Sequence, residues 1–297
     1  MGRAASPSTG RRYGLARVCR ALEIPRSTVY AARTRRLAPG VPRKRGPKTA
    51  FTDAELTDQI RAVLARSPFV GEGYRKVWAR LRLQGLRASK RRVLRLMRAH
   101  GLLAPTRAGR PHGPRAHDGT IRTERVDVMW GTDLTSAATD EGVASIFVAV
   151  DHGSTECVGL HAARRATRFE ALEPIRQGVR ASFGGFAGGV ARGLKLRHDH
   201  GSQYLADDFQ AEIAFLGIEA SPAFVRAPEG NGCAERFIRT LKENLLWVRR
   251  FATVEELRQA LLEFRRCYNA TWIVERHGDR TPAQVRADQL GALATAA

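Results

Sequence analysis

Two carboxylates in the second half of the chain constrain it most. Asp199 follows Leu194–His198, which reads as a short strand, and lies two residues before Gly201. Glu235 lies early in a segment with helical apolar spacing at Phe237, Ile238, Leu241 and Leu245. Positions 200 to 234, thirty-five residues, separate them. The glycine after a strand-end Asp lets the backbone turn sharply, and a Glu early in a helix sits where the dipole favours an anion. A third carboxylate, Asp133, falls within Val126–Thr135, which reads as a strand. An Asp is disfavoured there and costs free energy unless it has a partner.

The segments around these residues alternate in a definite order. Val126–Thr135, Val143–Val150 and Glu156–Ala162 read as three strands joined by short turns, an antiparallel meander. A helix at 168–181 follows, then a Gly-rich loop, the strand ending at His198, a helix at 206–216, a short strand at 217–221 and a loop at 222–230. The helix of Glu235 begins near Asn231, and a last long helix spans 253–269. The order predicts an α/β fold, a mixed sheet with helices on its faces.

Three carboxylates from a strand, a strand end and a helix can converge on one point, and shared divalent cations relieve their repulsion. All-oxygen ligation suits Mg²⁺ or Mn²⁺. Two such ions about 3.5–4 Å apart can activate an attacking oxygen and stabilise the leaving oxygen of a phosphodiester.

The first half is different in kind. Residues 1–125 hold 30 Lys/Arg and 7 Asp/Glu (+23), and residues 126–297 hold 20 and 22 (−2), giving the total of +21. A basic excess confined to one half is the footprint of a polyanion, and nucleic acid fits it. Codon bias accounts for Arg outnumbering Lys 44 to 6, but not for the confinement. Residues 14–35 read as two short helices around a turn, with Ser27 as cap of the second. Residues 37–50 and 105–125 carry the Pro/Gly density of linkers. Between them Thr52 and Glu55 form a capping-box pair, and helices follow with Val77, Trp78 and Leu81, then Val93, Leu96 and Met97, on their apolar faces. Arg91, Arg92, Arg95 and Arg98 fall largely opposite that last seam, as a groove-docking helix requires. An amphipathic helix packed on its neighbours would need the same seam.

Four widely spaced cysteines exclude a disulfide framework or zinc knuckle and predict reduced thiols. No apolar run is long enough for a signal peptide or a membrane span, so a cytoplasmic, nucleoid-associated location is expected.

Trp130-Gly131-Thr132-Asp133, Asp199-His200-Gly201-Ser202-Gln203-Tyr204 and Asn231-Gly232-Cys233-Ala234-Glu235, with Lys242 seven positions on, resemble the DDE transposase/retroviral-integrase superfamily. Within it they are most similar to the second reading frame of bacterial two-frame insertion-sequence transposases. Gly73–Leu103 resembles the helix-turn-helix segment preceding the integrase core in that group. The resemblance implies an RNase H-like fold behind an all-α helix-turn-helix region. It divides the chain into a basic helix-turn-helix-like segment (1–36), a helical DNA-binding domain (51–104), a catalytic core (126–250) and a C-terminal helix and tail (251–297). It implies Mg²⁺-dependent strand cleavage and strand transfer on double-stranded DNA, with Asp133, Asp199 and Glu235 as metal ligands and two ions. Lys242 matches a DNA-contacting position near the reacting end, and Arg239 lies between it and Glu235. Assembly into a homo-oligomer and an upstream-frame partner product are also implied. The chain departs from the pattern at His198, where the group commonly has Ser. The stretch Tyr268–Gly278 follows the group's Asn…Arg-Pro-His pattern only loosely. Asp127 and Asp151 read as decoys, Asp151 as a turn group beside Ser154. Two rival readings stand at this point: a catalytically inactive, domesticated DNA-binding protein, and an RNase H-like nuclease without strand transfer.

Overall fold

The computed structural model describes residues 4–37, 50–105, 121, 123–223 and 231–296. Most of the two expected linkers and most of the 222–230 loop lie outside them. Met1–Ala50 forms one compact unit and Phe51–Ala297 another.

The first unit contains α1 (Gly14–Ala21) and α2 (Arg26–Leu37). Ser27 does not cap α2, which already includes it. Pro25 lies just before the helix, and its carbonyl accepts from Thr28 N at 3.0 Å. Cys19 is buried in α1, and no residue of α2 is.

The second unit opens with α3 (Asp53–Arg66), α4 (Tyr74–Leu83) and α5 (Lys90–Ala99). The capping box forms: Thr52 Oγ1 accepts from Glu55 N, and Glu55 Oε2 accepts from Thr52 N at 2.7 Å. Ser89 caps α5 by accepting from Arg92 N. Leu56, Ile60, Val63, Val77, Leu81, Val93, Leu96 and Met97 meet in one small core.

A five-stranded sheet follows, in the order β3-β2-β1-β4-β5. β1 (Met129–Thr139), β2 (Gly142–Asp151) and β3 (Cys157–Ala163) form the expected antiparallel meander. β1 runs four residues past the expected Thr135 end, pairing Thr139 with Gly142 across a two-residue turn. β4 (Lys195–His198) and β5 (Glu219–Pro222) extend the sheet in parallel. The helix expected at 206–216 forms as α8 (Asp207–Phe215), and a short helix not expected from the sequence, α7 (Ser202–Leu205), precedes it across the extended backbone of Ala206.

Alternation along β2 divides the core. Ala144, Ile146, Val148 and Val150 face α9 (Gly232–Leu241) and α10 (Val254–Thr271). Phe147 and Ala149 face α6 (Arg168–Phe183) and α8. This is the two-residue period of a strand buried on both faces. On β1, Trp130 and Leu134 belong to the α6 side and Ala137 to the α9 side. Asp133, an even number of residues from Ala137, therefore shares the α9 side.

The tail holds a helix that periodicity alone does not announce, α11 (Pro282–Ala296). Its start has a local signal: Thr281 Oγ1 accepts from Gln284 N, and Gln284 Oε1 accepts from Thr281 N at 2.9 Å, around Pro282. This is a capping box with Gln at its far end.

Candidate active site

The last parallel pair between β1 and β4 is Gly131 with Arg197. Asp133 and Asp199 each lie two residues beyond it (131 to 133, 197 to 199). Asp133 lies in β1 and Asp199 just past the end of β4, at matching distances from the point where the two strands part. A crevice outside the carboxyl end of a parallel strand is where open α/β sheets bind ligands. Strand spacing of about 4.8 Å brings side chains at such positions within reach of one another.

Asp133 is half-buried and its Oδ1 accepts from Leu134 N at 2.8 Å. Its pKa is raised from 3.8 to about 6, chiefly by burial and also by the nearby charges of Asp199 and Glu235, while Leu134 N–H and Lys242 act the other way. All four residues singled out in the sequence thus share one electrostatic neighbourhood. Asp199 is exposed, and its Oδ1 accepts from Gly201 N at 2.9 Å, a short turn that fixes the strand end. Glu235 is exposed in the first turn of α9, where the helix dipole favours an anion. Lys242, half-buried, closes α9 and opens a π-helical turn, Lys242–Leu246. Arg239 is exposed on α9.

Among the described residues no set of three His, Cys, Asp or Glu side chains stands close enough to enclose a metal ion as placed. The donor chemistry nevertheless fits one. The charges of Asp199 and Glu235 both act on Asp133, and an all-oxygen acidic set suits a hard dication.

The histidines beside Asp199 are occupied elsewhere. His198 is 1% exposed, with Nδ1 2.7 Å from Asp199 O and its ring packed on Tyr204 and Phe209. Burial lowers its pKa, so the ring is a neutral core group. His200 Nε2 lies 2.7 Å from Ala223 O. Asp151 is fully buried and accepts from Ser154 N, Ser154 Oγ and Asp127 N, the turn role expected of it. Asp127 pairs with Arg286 at 2.7 and 2.9 Å.

On α5 the four arginines divide. Arg92 turns inward, with a side chain 16% exposed, and its Nε lies 2.8 Å from Asp53 while its Nη2 donates to Phe51 O. Arg95 reaches the same Asp53 at 2.7 Å. These two tie α5 to the start of α3. Arg91 and Arg98 are exposed.

Asn231 has a structural part that the sequence reading did not give it. It precedes α9 without capping it, is 4% exposed, and donates from Nδ2 to Thr132 O at 2.9 Å. Its place at a helix start suggests a cap; only the fold shows the bond to β1.

The family model of the HTH-like domain matches residues 52–110, and that of the integrase core domain matches 216–282, which includes Glu235 and Lys242. The chain is 29% identical over 243 residues to "Transposase InsD for insertion element IS2A/D/F/H/I/K" of Escherichia coli, covering 80% of this chain and 78% of that protein. It is also 29% identical over 248 residues to "Insertion element IS2A uncharacterized 48.2 kDa protein" of Escherichia coli, covering 81% of this chain but only 57% of that one. Among solved structures, similarity extends to a simian T-cell lymphotropic virus intasome, at TM-score 0.47 and 20% identity over 79% of this chain and 74% of that one. It extends also to the HTLV-2 integrase catalytic core in complex with magnesium, at TM-score 0.40 and 18% identity over 56% and 99%.

Proposed function

We propose that the chain is the transposase of an insertion sequence, cutting double-stranded DNA at element ends and joining the freed 3′ ends to target DNA. In this reading residues 51–104 read the DNA and residues 126–250 carry the chemistry. Asp133, Asp199 and Glu235 hold Mg²⁺ or Mn²⁺, two ions when the site is full. The observation that carries the proposal is the placement of Asp133 and Asp199 at matching positions where β1 and β4 part, with Glu235 and Lys242 felt at Asp133.

The bound ions would supply activation of the attacking oxygen and stabilisation of the leaving one. The chain's own residues do the rest. Asp133 must be ionised to serve as a ligand, and Lys242 favours that form. Lys242 and Arg239 hold phosphates of the reacting strand beside the carboxylates. Arg91 and Arg98 take backbone phosphates along α5. Joining two ends calls for at least two copies of the chain in the working complex. An upstream-frame product joins that complex in this reading. Among the described residues no helix is long and apolar enough to cross a membrane, consistent with action on DNA.

The test is metal-dependent cleavage of a duplex carrying the element's terminal repeat, by wild type and by Glu235→Gln. Wild type cuts and the variant loses at least a hundredfold in rate. Equal rates would remove the assignment. Cleavage without joining of pre-cut ends would leave the chain a nuclease.

A further inference from the structure

We propose that Asn231 is a positioning residue that sets the distance between Asp133 and Glu235, and that residue 131 is glycine to make room for it. The inference rests on the metal-holding role of those carboxylates. Asn231 lies four residues, about one helical turn, before Glu235. Its bond partner, Thr132, is the residue before Asp133. One amide therefore joins the helix of one carboxylate to the strand of another.

Three observations give the bond its role. First, an Asn at a helix start ordinarily accepts from its own helix's N–H groups. This side chain makes no such bond and reaches across to β1 instead. Second, the bond is buried, with Asn231 4% and Thr132 0% exposed, so water does not compete for it. Third, the approach depends on Gly131. A Cβ there would stand 2.6 Å from Asn231 Oδ1 and 2.8 Å from His152 Nε2, both inside contact distance.

His152 closes the other side. It is 0% exposed and is held by Nδ1, 3.0 Å from Ile121 O. A carbonyl only accepts, so Nδ1 carries the hydrogen and Nε2 the lone pair. Asn231 Oδ1 is also an acceptor, so the two do not bond to each other. The amide's orientation is set by the Thr132 carbonyl, which requires the NH₂ end. Asn231→Asp would put an acceptor against that carbonyl.

The experiment measures the rise in melting temperature of the full chain on titration with Mn²⁺ alone, without DNA. Wild type shows a saturable rise, and Asp133→Asn abolishes it. Asn231→Ala folds, and its response needs at least tenfold more Mn²⁺. Gly131→Ala, which removes no polar group, shows the same displacement. Asn231→Ser, with a shorter donor, falls between and serves if the alanine variant does not fold. A wild-type Mn²⁺ midpoint in the folded Asn231 and Gly131 variants overturns this inference and leaves the metal site standing. No response in wild type overturns the metal site and the inference with it.

Discussion

Phe69, between α3 and α4, stands edge-on to Trp272 at the end of α10, with ring centroids 4.8 Å apart and planes at 84°. It also meets Phe264 at 6.4 Å and is 5% exposed within the core shared by α9 and α10. Val70 N donates to Asn244 Oδ1 in the π-helical turn after Lys242, and the Arg80–Glu72 pair extends to Thr271 O. The helices α3 and α4, which read in sequence as a separate domain, are docked on α10 and the π-helical turn. Phe69→Ala removes the aromatic anchor and should cost about 3–5 kcal/mol of stability, read as a lower urea midpoint. A loss under about 1 kcal/mol would mean the contact contributes little.

Asp133 makes stability depend on pH in a definite sense. Its folded pKa, about 6, lies above the ordinary carboxyl value of 3.8. Between those values the folded chain binds more protons than the unfolded one, so this contribution falls as pH rises through about 4 to 6. Its full size is on the order of 3 kcal/mol. Without metal, Asp133→Asn should therefore melt higher than wild type at pH 8, on the order of 5 °C. The difference should shrink at pH 4. Melting curves at both pH values in chelator decide it. A variant less stable than wild type at pH 8 would show that ionised Asp133 is already satisfied in the metal-free protein.

Much of this site was legible because its parts obey local rules. Asp133 within a strand violates a propensity, and such violations are expected at functional sites. The meander, the capping box at Thr52 and the cap at Ser89 follow from residue chemistry within three or four positions. What was not legible depends on register or on distant partners. The four arginines of α5 look alike in sequence. Only the packing of α5 on α3 brings Asp53 under Arg92 and Arg95. The Asn231 bond to Thr132 spans ninety-nine positions.

That division of the arginines predicts different phenotypes on one helix. Arg91→Ala with Arg98→Ala should weaken duplex DNA binding evenly across sequences. The dependence of log K on log salt should flatten by about two. Folding stability should stay within about 0.5 kcal/mol of wild type. Arg92→Ala should instead lose about 1–3 kcal/mol of stability, because a charge-assisted pair to Asp53 and a bond to Phe51 O go together. Binding isotherms at several salt concentrations, beside urea denaturation, separate the two. An Arg92→Ala variant of full stability with a reduced salt slope would return Arg92 to the DNA-binding face.

Lys76 offers a second pH test at the docking surface, with the opposite slope. Its Nζ lies over the face of Trp272, where a cation–π attraction favours the charged form, and Glu72 favours it too. Burial opposes both and is the largest influence, and Arg80 adds to it, so the pKa falls from 10.5 to about 7. A folded pKa below the unfolded one means that the unfolded chain binds more protons between pH 7 and 10.5. Stability linked to this group therefore rises with pH across that window. Lys76→Met keeps an unbranched apolar stem over the ring and removes the titration. It should be more stable than wild type at pH 7, by an amount on the order of 1 kcal/mol or more, and the gap should narrow toward pH 10. Urea midpoints of both proteins at pH 7, 8.5 and 10 give the slope. Parallel slopes would show that Lys76 stays charged, with Glu72 and the Trp272 ring outweighing burial.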